Sequence, residues 1–279
     1  MILKIPVIDR APTFPGRVIL APVQGQTNTY DMVRADAPTQ PGTPLNKALL
    51  DNKAYTLLES VTVYVNGSTG NNSTADGTST LPFKTIQAAI DALPKCLGGF
   101  VATVDIAAGT YSERVRIEGF YGGRLIVGNS ANTVTVNGIS IFASTSVELR
   151  ISTVTAATGN TDTLLYVGAG SEVLIGRHIT LNCASTAAIG VGVEQNSSVS
   201  ALGTSVNVNN STDSGIKATQ GGRIHLSIAG GNNNTGVGLR ADNGGVITYA
   251  TRSLAATTVT LTANGGKIYT GAQTSIPNY

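Results

Sequence analysis

The feature that most constrains this chain is a two-residue polar turn followed by a short strand, met seven times in its last two thirds. The copies read "YGGRLIV", "STSVELR", "GSEVLIG", "NSSVSAL", "QGGRIHL", "NGGVITY" and "NGGKIYT". In this alignment the strands open at Arg124, Val147, Val173, Val199, Arg223, Val246 and Lys267, at steps of 23, 26, 26, 24, 23 and 21 residues. A repeat of roughly that length, with two or three short strands and no helix, fits one coil of a parallel β-helix. Equivalent strands of successive coils pair in parallel, and Val, Ile, Leu, Ala and Thr fill the interior. Gly and Asn at the corners tolerate the left-handed or tightly bent backbone that closes each coil. A β-sandwich also uses short strands and polar turns, but it does not demand one turn chemistry at so regular an interval. Leucine-rich repeats share the period and lack both the "LxxLxL" pattern and a helix per repeat.

Prolines support the same reading. Nine of the ten lie before residue 95, and none occurs from Lys95 through Ile276, as a stack of inner, hydrogen-bonded strands requires. The 33 glycines follow no three-residue period, which excludes collagen. The chain is thus expected to be all-β over residues 61–279, with coils from about residue 100.

Two other regions precede the coils. In residues 1–60, "NTYDMVRADAPTQPG" reads as one short strand with Tyr30 and Val33, then a turn. "TPLNKALLDNKAYTLL" reads as a short helix: Thr43 is a good N-cap, Pro44 suits the first helical position, and Leu45, Leu49 and Leu58 supply an apolar stripe. So little core implies that this segment serves attachment or oligomerisation. Residues 61–95 form a bridge, in which "VTVYV" alternates as a strand and "PFKTIQAAIDALP" places Phe83, Ile86, Ala89, Ile90 and Leu93 on one face of a helix. Lys84, Gln87 and Asp91 fall on its other face. A solenoid has open ends that need covering, and this helix has the position and size to cap the N-terminal one.

Charge is sparse, with 18 Lys and Arg against 16 Asp and Glu, and no basic run. Nucleic acid is therefore not expected as a partner. No uninterrupted run of about 18 apolar residues occurs, so no membrane span is expected. Pro6, Asp9 and Arg10 interrupt the opening segment, which therefore does not read as a secretory signal, and synthesis in a cytoplasm is expected. Cys96 and Cys183 read as a reduced pair, with a disulfide between them left open.

The stretch "YVNGSTGNNSTADGTSTLPFKTIQAAIDAL" resembles the entry segment of the pectin-lyase-like right-handed β-helix superfamily: strand, glycine-rich loop, capping helix. "VDIAAGTYSERVRI" resembles that superfamily's first coil. The resemblance implies a right-handed parallel β-helix (solenoid) from about Val61 onward and says little of activity, because the superfamily holds lyases, hydrolases, esterases and adhesins. Thr29–Asp51, with "PGTPLNKA", resembles leaders of bacteriophage tail-fibre, baseplate and receptor-binding proteins. That second resemblance implies an attachment end, a β-helical shaft or head, a homotrimer, and a place in a virion or phage-tail-like particle assembled in the bacterial cytoplasm.

A search for catalytic groups finds none that qualify. Glu194 and Asp242 occupy comparable corners two coils apart, about 10 Å at a strand spacing near 4.8 Å, at or beyond the reach of a paired-carboxylate mechanism. His178 and His225 lie on different coils without a third ligand, so no zinc site is expected. The entry loop offers one carboxylate, Asp76, too few for calcium. Metals and cofactors are thus not called for. What remains is a weakly charged Asn/Thr/Ser/Gly surface, on which Tyr166, Tyr249, Tyr269, Glu194 and Asp242 are the candidates for touching a bacterial surface polysaccharide. The expected function is non-enzymatic attachment, to glycan or to a partner protein, with docking to a tail or baseplate through the N-terminus. A polysaccharide-degrading tailspike and a purely architectural particle protein are the alternatives.

Overall fold

The computed structural model describes residues 56–157, 162–184 and 188–271, together with the backbone of two short strands, 18–22 and 30–34. The chain divides into two units, Leu3–Ala54 and a much larger one running on from Tyr55. In the first, β1 (Val18–Pro22) and β2 (Tyr30–Arg34) form an antiparallel pair. Tyr30 and Val33 lie in β2, whereas Leu45, Leu49 and the helix expected around them lie outside the described residues.

The larger unit is a three-sided parallel β-helix. Its first side stacks β3 (Val61–Val65), β4 (Val101–Ile106), β6 (Arg124–Gly128), β8 (Val147–Arg150) and β11 (Glu172–Ile175). It continues through the opening residues of β14 (Ser198–Asn209), β16 (Arg223–Ala241) and β17 (Val246–Thr262), and ends on β18 (Lys267–Thr270). The second side takes the start of β5 (Gly109–Glu118) and of β7 (Val134–Phe142), then β9 (Thr153–Thr155), β12 (Ile179–Asn182), the end of β14 and the middles of β16 and β17. The third takes the ends of β5 and β7, then β10 (Leu165–Gly168), β13 (Ile189–Val193), β15 (Ser214–Ala218) and the ends of β16 and β17. Every pairing among these strands is parallel, as a chain that always turns the same way and never doubles back must give.

The register corrects the alignment read from the sequence. Side chains alternate in and out along a strand, and a one-residue slip exchanges the two sets. Leu125, Val147, Val173, Val199, Ile224, Ile247 and Ile268 stand in register on the first side. Arg124, Arg223, Val246 and Lys267 are therefore outward positions one residue ahead of the interior row. In the "GG" turns the glycine pair is followed by one extra outward residue before the strand turns inward. The interior row is buried from Leu125 to Ile247, and burying each such side chain contributes about 1.5–3 kcal/mol.

The corner between the third and first sides explains the repeated turns. Gln195–Asn196, Gln220–Gly221, Asn243–Gly244 and Asn264–Gly265 all have positive φ, a backbone that Gly and Asn adopt most cheaply. Each turn bonds to the next: Asn196 N–H donates to Gln220 O at 3.1 Å, and Gly221 N–H to Asn243 O at 3.2 Å.

The helix at the entry, α1 (Ile86–Asp91), is shorter than expected. Thr85 caps it, its hydroxyl accepting from Ala88 N–H, and Ala92 ends it two residues before Pro94. Phe83 is not helical: its N–H donates to Tyr64 O and its carbonyl accepts from Asn66 N–H, a short parallel bridge to the end of β3. Phe83, Ile86, Ile90 and Leu93 are all buried in the one core. Leu57, rather than Leu58, joins that core from the segment before β3. Both cysteines are free thiols, so the disulfide left open by the sequence does not form; burial pushes the Cys183 thiol up to about 12. No helix among the described residues is long and apolar enough to cross a membrane.

Candidate functional site

The third side carries the densest set of outward chemistry. Parallel register places Arg116, Ser140, Tyr166, Gly192, Lys217, Arg240 and Leu261 in one outward row. A neighbouring row begins with Glu118, Phe142 and Gly168. It runs on through Glu194, Thr219 and Asp242, whose N–H groups bond to Val167, Val193 and Ala218 of the coil before.

Contacts knit the two rows. The Arg116 guanidinium lies 4.4 Å from the centre of the Phe142 ring, a cation–π contact, and its Nε donates to Glu118 Oε2 at 2.8 Å. The Phe142 and Tyr166 rings stand 5.2 Å apart, tilted by 39°, within the range of favourable aromatic pairs. Tyr166 lies across Gly168, where an added Cβ would meet the ring at 2.7 Å. The Glu194 carboxylate lies beside its phenol. Burial first, and then the neighbouring Glu194 carboxylate, hold Tyr166 well above the ordinary tyrosine value, so it stays a neutral donor. Gly192, next in the row, is buried beneath the Thr163 side chain, whose methyl lies 3.0 Å from where a Cβ would stand.

Beyond Gly192 the charges are already matched. Arg240 Nε donates to Asp242 Oδ2 at 2.8 Å, and its Nη1 reaches Asp213 Oδ1 at 3.3 Å. At the other end Arg114 donates to Ser140 Oγ and to the Thr163 carbonyl. On the first side, Glu148 is buried between Arg124 and Arg150, with Arg150 Nε at 2.5 Å from its Oε1.

The candidates named from the sequence divide. Tyr166 and Glu194 touch each other and sit half-buried on the third side. Tyr269 is 46% exposed but belongs to the first side, in β18. Tyr249 is a correction: it pairs with Leu226 in register, points into the core and is 8% exposed, because the extra turn residue shifts its parity. Asp242 is a correction too, 5% exposed and held by Arg240, so it is a brace within the corner. Glu194 and Asp242 are separated by Thr219 on the intervening coil, as the spacing implied. Arg116 and Phe142 were missed. Their signal was present in the alternation of "RVRIE" and "GISIF", legible once the interior row is set correctly.

Carboxylates elsewhere are also engaged. Asp76 accepts from the Thr78 N–H and hydroxyl, and those bonds lower it. The bond from Arg116 lowers Glu118. Burial pushes Asp242 up, and hydrogen bonding by Thr219 and Arg240 with the charges of Lys217 and Arg240 more than offsets it, leaving it lowered. His178 and His225 bond Ser205 and Thr248 on their own neighbouring coils. Among the described residues no three His, Cys, Asp or Glu side chains gather as a metal site.

Comparison with protein-family models, with characterised proteins and with solved structures found no match for this chain.

Proposed function

We propose that this chain is a non-enzymatic attachment component of a phage or phage-like tail. Its N-terminal segment docks to the tail or baseplate, and the third side of its β-helix contacts a host surface glycan. The observation that carries the reading is the Arg116–Phe142–Tyr166–Glu194 stripe on that side. Two rings, a guanidinium over one of them, a neutral phenol donor and a carboxylate acceptor suit a sugar's apolar faces and its hydroxyls. The resemblance of Thr29–Asp51 to phage leaders supports the particle. Three copies acting together would raise a weak contact to a useful avidity.

Catalysis is disfavoured because Glu118 and Asp242 on this side are each paired with an arginine. A glycosidase acid needs a raised pKa, whereas the carboxyls displaced on this side, Glu118 and Asp242, both move down.

Sedimentation equilibrium of the whole chain, paired with binding and cleavage assays on a panel of bacterial envelope polysaccharides, tests the proposal. The expected result is a trimer that binds one polymer and leaves every polymer intact, with Tyr166→Ala weakening binding about tenfold at matched stability. Shortening of any polymer sinks the non-enzymatic reading. A monomer that binds nothing sinks attachment by this chain alone.

A further inference from the structure

A cavity of about 170 Å³ lies between the entry loop and the first coil, lined by Tyr64, Asn66, Ser79, Pro82, Asp105 and Asn132 among others. It is far from a chance gap in a mobile loop, because the wall is built. Asn66 Oδ1 accepts from Ser68 and Thr69 N–H, and Asn72 Oδ1 from Lys84 and Thr85 N–H. Tyr64 N–H donates to Gly77 O, and Asn71 N–H to Pro82 O. Gly70 is seated so tightly that a Cβ there would lie 2.3 Å from Phe83 O. The floor is equally fixed. Tyr64 and Asp105 are register partners in β3 and β4. Asn129 Nδ2 donates to Asp105 Oδ1 at 2.8 Å, and Asn132 Nδ2 to Ile106 O at 2.8 Å. Arg177 braces the far side by donating to the carbonyls of Asn129 and Asn132.

Several polar atoms on this lining have no hydrogen-bond partner among the described residues: the Tyr64 and Ser79 hydroxyls, the second Asp105 oxygen and the Asn132 side-chain oxygen. The residues that carry them line one small cleft together with Pro82. The volume matches about five or six waters at ~30 Å³ each and falls below the ~300 Å³ typical of drug-sized ligands. It suits one small polyol ring. The lone charged side chain on the lining is a carboxylate, which favours vicinal hydroxyls and repels a carboxylated or phosphorylated sugar.

We propose that this cavity is a binding site for a single neutral pyranose unit, with Asp105 accepting from adjacent hydroxyls and Tyr64 and Pro82 framing the ring. It extends the glycan-contact reading to a second site, at the entry end of the first and second sides, and it stands or falls separately from the third-side stripe.

The test is ligand-observed NMR and calorimetry on the whole chain with glucose, galactose, mannose and glucuronate, and with Ca²⁺ alone. A neutral hexose is expected to bind with Kd on the order of 1–10 mM, the range open to so few atoms, and glucuronate more weakly. Asp105→Asn should weaken the hexose about tenfold, while Tyr166→Ala leaves it unchanged. Ser79→Trp, on the exposed rim, should block the cavity without touching a strand, and so serves if Asp105→Asn fails to fold. Hexose binding that survives both cavity variants, equal binding of glucuronate, or saturation by Ca²⁺ instead of sugar overturns the proposal. Loss of hexose binding in Tyr166→Ala alone would assign it to the third side.

Discussion

The two ends of the solenoid solve the same problem in opposite ways. At the N-terminal end, α1 covers the interior with Ile86, Ala89 and Ile90, each fully buried. Its polar residues then bond the open edge of the first coil. Gln87 Oε1 accepts from Arg116 N–H at 2.7 Å while its Nε2 donates to Arg116 O at 3.1 Å, taking the place of a missing strand. Glu113 in turn accepts from the Ile86 and Gln87 N–H groups at 2.8 and 2.9 Å, answering the helix's unpaired first donors. At the C-terminal end the last complete coil changes its lining. Val237, Leu239 and Ala241 are matched in register by Thr258, Thr260 and Thr262, which are exposed. Threonine keeps the branched shape that strands favour and adds a hydroxyl that water can satisfy. One end is sealed with carbon; among the described residues, the other is made wettable.

That contrast is broken most sharply by equal and opposite substitutions. Ile90→Ala should cost about 2–5 kcal/mol in urea unfolding, the usual range for a buried aliphatic truncation. Thr260→Ala should stay within about 0.5 kcal/mol, as for an exposed site. Equal losses would mean that the C-terminal coil is covered as firmly as the N-terminal one. Next in size is Glu113→Ala, which strands two helix donors at a half-buried site and should cost about 1–3 kcal/mol. Gln87→Ala should cost about 1 kcal/mol, and hydrogen exchange at the Arg116 amide should quicken without a matching change at Arg240. Unchanged exchange at Arg116 would remove Gln87 from its role as edge partner.

The same contrast sorts what the sequence could disclose. The coils were legible because turn chemistry recurs: the "NGG" and "QGG" corners are backbone requirements, and backbone requirements write themselves into residue type. The capping helix was legible from Ile86, Ala89 and Ile90, whose spacing admits one reading. Parity was not. Nothing in "NGGVITY" says that Val246 looks outward, because Val suits both faces of a strand, and that ambiguity carried Tyr249 to the wrong side. Gln87 was placed only on the polar face of the helix, since a side chain that replaces a neighbouring strand looks in sequence like any polar surface residue. The Arg116–Phe142–Tyr166 stripe depends on register across 50 residues, a distance over which a one-residue error in any turn destroys the alignment.

A smaller effect is expected from restoring carbon to the C-terminal coil. Thr260→Leu with Thr262→Val should leave unfolding nearly unchanged and add concentration-dependent association, read by sedimentation velocity, because an apolar row beside a strand edge invites pairing. Adding Val259→Lys, a charge on that edge, should reverse the association. Failure of the double variant to associate would show that the threonines are not what keeps this end from pairing.

The smallest effect is electrostatic and belongs to the C-terminal coils. Asp242 is held below its ordinary carboxyl value by Arg240, Thr219 and Lys217 despite burial. A carboxyl lowered in the folded state binds fewer protons there than in the unfolded chain, so its contribution is fully present above the unfolded value near 3.8. It is lost as pH falls through the lower folded value. The wild-type melting temperature should therefore fall more steeply below about pH 4 than that of Asp242→Asn, and the two curves should run parallel above about pH 5. Glu118, lowered by Arg116 at the other end, is exposed and screened, so Glu118→Gln should scarcely alter the acid limb. If Glu118→Gln flattens that limb as much as Asp242→Asn does, solvent screening fails to distinguish the two ends, and the matched Arg240 pair contributes no more than an ordinary surface contact.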